Sequence, residues 1–352
     1  MKKPVLKMLQ LIALVAGLAL FAYLIHKTGL DTLARYLHMM GWGFAFIILL
    51  SAVRNVLRAS SWYYAIDPVH RQIRFWTLMN VMLAGEAIKY LTVMGPLFGE
   101  PAKAAMVRRQ VPLLQGFSSV VVENLIYNLT VIIVMITGLP ALVWLIDAPR
   151  RLQLGAYLFT AAIILSLVLV WAAIRRRWFI LARMLEVIAR LTVRRSSSEI
   201  QSQPTRFAAT IDRVRKVEAN IYAFYENRRG AFFAIFAVNM VAHFINVIEV
   251  YVILMLLDLP ATLAAGFLIE AVTKVINGAF FFVPTRAGVY ESGNALVLDA
   301  LGMTASAGVA LAIIRKLRAF LWVGYGLVVI GWLALKDKRA PENAQTPFQS
   351  KI

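Results

Sequence analysis

Ten charged side chains stand inside segments that are otherwise apolar: Glu86, Lys89, Glu100, Lys103, Glu123, Glu249, Glu270, Lys274, Arg286 and Glu291. Near the centre of a bilayer each costs at least about 2.5–3.5 kcal/mol, so such residues serve a site or neutralise one another. Glu86 and Lys89 are three apart, as are Glu100 and Lys103, while Glu270 and Lys274 are four apart. Glutamate leads in each pair, and at these spacings the two side chains share one helix face. Pairs that only glue a helical bundle and pairs that line a polar path both satisfy this pattern.

Proline and glycine punctuate two of these segments. The first runs from Met79 to Arg109 and contains Gly95-Pro96-Leu97-Phe98-Gly99-Glu100-Pro101. The second runs from Ala264 to Leu301 and contains Val283-Pro284-Thr285-Arg286-Ala287-Gly288-Val289-Tyr290-Glu291. Such clusters break a helix. Helix N-termini exposed at Pro96–Pro101 and Pro284–Gly288 would offer backbone N–H groups and a positive dipole end to an anion. Arg286 could grip a phosphate in bidentate fashion, with Lys103 and Lys274 adding positive charge. Glu100 and Glu291 could instead hold a cationic headgroup or carry a proton, and residue types alone leave this open.

Other polar groups interrupt apolar runs. Arg54 and Arg58 lie four apart, with Trp62 a turn further on. Snorkelling to the membrane interface accounts for them, and binding a lipid phosphate is the other reading. Arg315, Lys316 and Arg318 break into the last apolar stretch and suggest a kinked or interrupted helix. Asn239, His243, Asn246 and Glu249 share one span, and Glu123, Asn124 and Asn128 another, where interhelical hydrogen bonding is expected. There is no Walker-type loop, His-Glu-x-x-His motif, nucleophile elbow or dinucleotide fingerprint, so neither an enzymatic centre nor a cofactor is expected. Four scattered histidines and no cysteine predict no metal site and exclude thiol chemistry.

The elements that must hold these charges are membrane helices. Of the 352 residues 61% are hydrophobic and 16% charged, and the mean hydropathy is +0.72. That is more apolar surface than one soluble core can bury. Runs of about 20 residues almost free of charge match the thickness of the hydrocarbon layer. Spans are expected near Val5 to Ile25, from Gly41 to Tyr64, Phe117 to Gly138, Leu154 to Ala173, Ala231 to Leu257 and Ala305 to Leu335. The fold class is therefore all-α and polytopic, with about six full spans plus two broken, re-entrant helical hairpins. The transmembrane domain is drawn over residues 1–335, with a disordered tail from 336 to 352.

The net charge of +19 is distributed by side. Most Lys and Arg fall on one face, and only Lys27, Arg35, Arg150 and Arg151 fall on the other. This positive-inside pattern predicts cytoplasmic termini and a cell (inner) membrane location rather than nucleic-acid binding. The basic loop 175–229 is expected on the cytoplasmic side, where anionic headgroups are its natural partners.

The same counting sends the first broken segment in from the inside and the second in from the outside. Two interrupted segments in corresponding positions of two halves point to a transporter-like site. The two segments also resemble the transmembrane region of lysylphosphatidylglycerol synthases, the flippase-like family. Val283 to Glu291 resembles its Val-Pro-Gly-Gly-x-Gly-x-x-Glu signature, and Gly85-Glu86-Ala87 with Pro96 and Gly99 to Ala104 resembles its earlier Pro/Gly-Glu motif. Thr285-Arg286 departs from the two glycines usual there. The style is that of small bacterial members.

The resemblance implies translocation of a lipid or lipid-linked precursor between leaflets. The chain stops 17 residues after Leu335, so the soluble lysyl-transferring domain of the full synthases is not expected. On this reading the substrate-binding residues are Glu100, Lys103, Arg286, Glu291, Glu86, Lys89, Glu270, Lys274 and Arg58. Pro96, Gly99, Pro101, Pro284 and Gly288 would shape the hairpins, and a phospholipid or other membrane lipid is the expected partner. A small-solute secondary transporter, or an enzyme or partner protein of lipid headgroup biosynthesis, are the alternatives.

Overall fold

The computed structural model describes residues 29–176, 183–187, 204–283 and 288–339, with positions 23 and 26. The expected first span, the tail beyond 339, and Pro284 to Ala287 lie outside the described residues, as does part of the 175–229 loop.

Every long element among the described residues is helical, as backbone in hydrocarbon must be to satisfy its own polar groups. In chain order they are α1 Leu30–Met40, α2 Trp42–Ala65, α3 Phe75–Leu91, α4 Gly95–Val107, α5 Leu113–Leu145, α6 Arg150–Arg175, α7 Pro204–Asn227, α8 Arg229–Leu256, α9 Leu263–Ala279, α10 Val289–Ala300 and α11 Ala305–Arg339. Five of these, α2, α5, α6, α8 and α11, are long and apolar enough to cross a membrane. The chain is thus an all-α multi-pass membrane protein. Helix α11 runs unbroken through Arg315, Lys316 and Arg318, which corrects the expected interruption. Those three side chains find carboxylates on neighbouring helices, so the backbone has no need to open toward water.

Helices α3 and α4 form one hairpin and α9 and α10 another. The arms α4 and α10 have 13 and 12 residues. At 1.5 Å per residue these reach only about 20 Å, short of the roughly 30 Å of hydrocarbon. The first hairpin turns at Thr92 to Met94, where Met94 takes φ 53°. Pro96 follows in the first turn of α4, where its missing N–H has no partner to lose. Pro101 lies inside α4, so it does not mark the break as its residue type suggested. Gly99 marks the crossing of the two arms, since a Cβ there would lie 2.8 Å from the Gly85 carbonyl oxygen. At the second hairpin Gly288 takes φ 86°, and the Glu291 carboxylate accepts its N–H at 2.8 Å. This closes the first turn of α10.

The packing register gives the hairpins opposite directions. On α11, Tyr325 meets Asn80 and Phe320 meets Tyr90, so α3 is antiparallel to α11. On the same helix Lys316 meets Glu291, while Gly308 abuts Asn294 and Ala295, so α10 is antiparallel to it too. The first arm of one hairpin therefore runs with the second arm of the other.

Helices α2 and α8 pack antiparallel along their length, with Gly43 against Leu256 at one end. At the other end Arg228 donates to the carbonyl oxygens of Tyr64 at 2.9 Å and Ile66 at 3.2 Å. A cation on the last carbonyls of a helix satisfies orphan acceptors and opposes the dipole. Arg228→Ala is expected to lower stability by about 1–2 kcal/mol in thermal unfolding of the detergent-solubilised protein. An unchanged melting temperature would mean that water replaces the guanidinium without loss.

Two apolar clusters cap the bundle. Trp62, Leu78, Val81, Val107, Val120 and Ile235 belong to one, and Phe44, Ile47, Val250, Ile253, Ile269 and Leu311 to the other. Along α2, Arg58 and Arg54 lie between Trp62 and Ile47. Along α8, Asn239, His243 and Asn246 lie between Ile235 and Val250. The polar residues thus form a band between two apolar layers.

Candidate functional site

One half of the band is built by the first hairpin. Helical spacing puts Glu86 and Lys89 on one face of α3, and Glu100 and Lys103 on one face of α4. The close crossing at Gly85 and Gly99 then brings the four together. Lys89 Nζ lies 3.3 Å from Glu86 and 3.1 Å from Glu100, and Lys103 Nζ lies 2.7 Å from Glu86 and 3.1 Å from Glu100. Each cation bridges both carboxylates, so the ring is neutral. Lys103 lies across Gly85, where a Cβ would come within 2.3 Å of its Cγ. Its side chain is 3% exposed, against 38% for Glu86, which is the open member of the ring.

Arg58 joins this half from α2. It pairs with the buried Glu123 of α5 at 3.1 Å, and its guanidinium carbon sits 3.7 Å from the Tyr127 ring centroid. It therefore turns into the bundle and does not snorkel. Glu123 is neutralised where it stands, and Arg58 gains a cation–π contact as well.

The second half gathers around α11. Glu270 pairs with Lys274 at 2.6 Å and with Arg315 at 2.7 Å. Arg315 also lies 3.6 Å from Glu249, which takes a close ion pair from Arg318. Lys316 pairs closely with Glu291. Glu249 and Glu270 are fully buried. Carboxylates in such a place persist only when paired and hydrogen-bonded.

Tyr127 and His243 join the halves. Tyr127 is in electrostatic reach of Arg58 and Lys89 on one side and of Lys274 and Glu270 on the other. Its ring centroid lies 5.4 Å from that of His243, whose Nε2 is 3.1 Å from Thr130 Oγ1. The structure brings together Glu86, Lys89, Glu100, Lys103 and Arg58 in one half and Glu270, Lys274 and Glu291 in the other. Arg286 and Pro284 lie outside the described residues. Residue spacing did not reveal the roles of Glu249, Arg315, Lys316 and Arg318 in the second half. Three cations inside an apolar run were the available signal, because each requires a counter-charge from elsewhere. Among the described residues no group of His, Asp and Glu could hold a metal ion.

Opposed short hairpins around a buried band of charge define a multi-pass membrane protein built to hold polar groups at membrane depth. Residues 10–327 match the family of the lysylphosphatidylglycerol synthase transmembrane region. The chain belongs to that family, whose members are membrane proteins of lipid biosynthesis or flippase type. No curated protein and no solved structure matches the chain.

Proposed function

We propose that this protein moves a lipid or lipid-linked amphiphile between the two leaflets. A polar headgroup does not cross hydrocarbon unaided, because its lost hydration must be replaced. The band of paired charges supplies that replacement, while the acyl chains remain in the surrounding lipid. The observation that carries this reading is the pair of oppositely directed hairpins, with arms too short to span and charged faces on one band. On this reading each hairpin re-enters from its own side of the membrane, and the basic face lies in the cytoplasm. Exchange at the band requires pairs to open and close. The ring of the first hairpin suits this, since Lys89 and Lys103 each touch two carboxylates and can release one while keeping the other.

Leaflet exchange of fluorescent phospholipids in proteoliposomes tests the reading. The wild-type protein is expected to accelerate exchange, and Glu291→Gln and Arg286→Ala each to abolish most of it. Folded wild-type protein that exchanges none of the lipids tried would overturn the reading.

A further inference from the structure

Cations outnumber carboxylates in the band. Each of Glu86, Glu100, Glu123, Glu249, Glu270 and Glu291 pairs with at least one cation. Arg58, Lys89, Lys103, Lys274, Arg315, Lys316 and Arg318 all have a carboxylate partner. Arg54 differs. Among the described residues its guanidinium donates only to two neutral amide oxygens, Asn246 Oδ1 and Asn55 Oδ1, each at 3.2 Å.

The surroundings of Arg54 sharpen the imbalance. Arg315 and Arg318 are in electrostatic reach of it, as is Glu249, a carboxylate already engaged by both. Buried donors nearby lack an acceptor within hydrogen-bond distance: Asn55 Nδ2, on the amide that Arg54 already contacts, Arg318 Nε, and Arg315 Nε, which faces Glu249 Oε1 at 3.6 Å. Asn55 is 5% exposed and Arg318 8%. Arg54 stands near the middle of the 24-residue α2, about 16–18 Å from its ends at the helical rise. That is farther than its side chain extends, so it does not reach past either end of α2.

Six carboxylates against eight cations leave positive charge over among the described residues, and the unpaired Arg54, with unused N–H donors beside it, calls for an oxyanion. A guanidinium fork grips two oxygens of such a group, which an ammonium does less well. The neighbouring face of α2 says what the anion is attached to. Phe46, Leu49 and Val53 recur at helical spacing on that helix and are all exposed, a surface that suits acyl chains running beside the polar point. We propose that Arg54 and Asn55, backed by Arg318, bind the phosphodiester of an anionic lipid whose chains lie along Phe46, Leu49 and Val53. The lipid assignment rests on the translocation reading above; the anion site rests on the charge imbalance.

Equilibrium binding to the whole protein in nanodiscs tests this, with fluorescent phosphatidylglycerol as probe. Chain-matched diacylglycerol and inorganic phosphate serve as competitors. Phosphatidylglycerol is expected to bind about tenfold or more tighter than diacylglycerol, the scale of one charge-assisted contact, and Arg54→Gln to remove that margin. Arg54→Gln strands no carboxylate, so it is expected to fold. Asn55→Ala, which keeps the arginine, is expected to weaken binding several-fold and tests the site independently.

Phosphate that fails to displace the probe supports the lipid source, whereas phosphate that displaces it as well as the whole lipid does overturns the acyl part. Unchanged preference in both variants overturns the site. Arg54-dependent binding by a protein that exchanges no lipid would keep the site and remove the translocation reading. Exchange that persists in Arg54→Gln without headgroup preference would do the reverse.

Discussion

Glu249→Leu is expected to lower the stability of this protein by about 3–5 kcal/mol, because it strands positive charge in a dry interior. Among the described residues Glu249 is the one carboxylate paired with Arg318, and it is a second partner of Arg315. Arg315 keeps Glu270 at 2.7 Å after the change, but Arg318 keeps nothing of opposite charge among the described residues. Its neighbours are then Arg54 and Arg315, both of the same sign. Adding Arg318→Leu to Glu249→Leu removes the stranded charge and is expected to restore most of the loss, since an apolar pair of similar volume replaces a buried ion pair at little cost. Thermal unfolding of both variants in detergent makes the measurement as a double-mutant cycle. A single variant as stable as wild type, or a double variant less stable than the single one, would refute the account. Glu86→Leu is the contrast, because Lys89 and Lys103 both retain Glu100.

Gly99→Val is expected to separate the arms of the first hairpin. A Cβ at Gly99 would sit 2.8 Å from the Gly85 carbonyl oxygen and 2.8 Å from Lys89 Cβ. The first of these atoms is backbone and cannot rotate away, so α4 must shift from α3. Overpacking of this kind costs about 1–3 kcal/mol. The functional consequence is larger than that figure suggests. Glu100 follows Gly99 directly, so moving α4 pulls it from Lys89, now 3.1 Å away, and opens the ring. Loss of lipid exchange together with a lowered melting temperature is the expected result. Gly155→Val, at a position with nothing within 4 Å of a Cβ, should change neither. Full exchange by Gly99→Val would mean that the close crossing of α3 and α4 is not needed for transport.

The two variants probe different kinds of information. The Glu86–Lys89, Glu100–Lys103 and Glu270–Lys274 pairs were legible because helical periodicity is local, and three or four residues always meet on one face. The spans were legible for a similar reason, since length and hydropathy are properties of a continuous stretch. The breaks were half legible. Gly-Pro marked the start of α4, but Pro101 suggested a break where the helix continues. Proline removes one hydrogen bond, and whether the helix survives that depends on its neighbours.

Partners across helices were not legible. Arg315 meets Glu270 across 45 residues, Arg318 meets Glu249 across 69, and Arg54 meets Asn246 across 192. Read along the chain, Arg315, Lys316 and Arg318 look like an interruption, and Arg54 and Arg58 look like interfacial anchors. Packing turned all five inward. Solvation in lipid depends on which face of a helix is covered, and nothing within one helix specifies what covers it. Composition and spacing therefore determined that charges lie in the membrane and which of them pair along a helix. The packing of α2, α5, α8, α9 and α11 decided which carboxylates they meet, and which arginine is left without one.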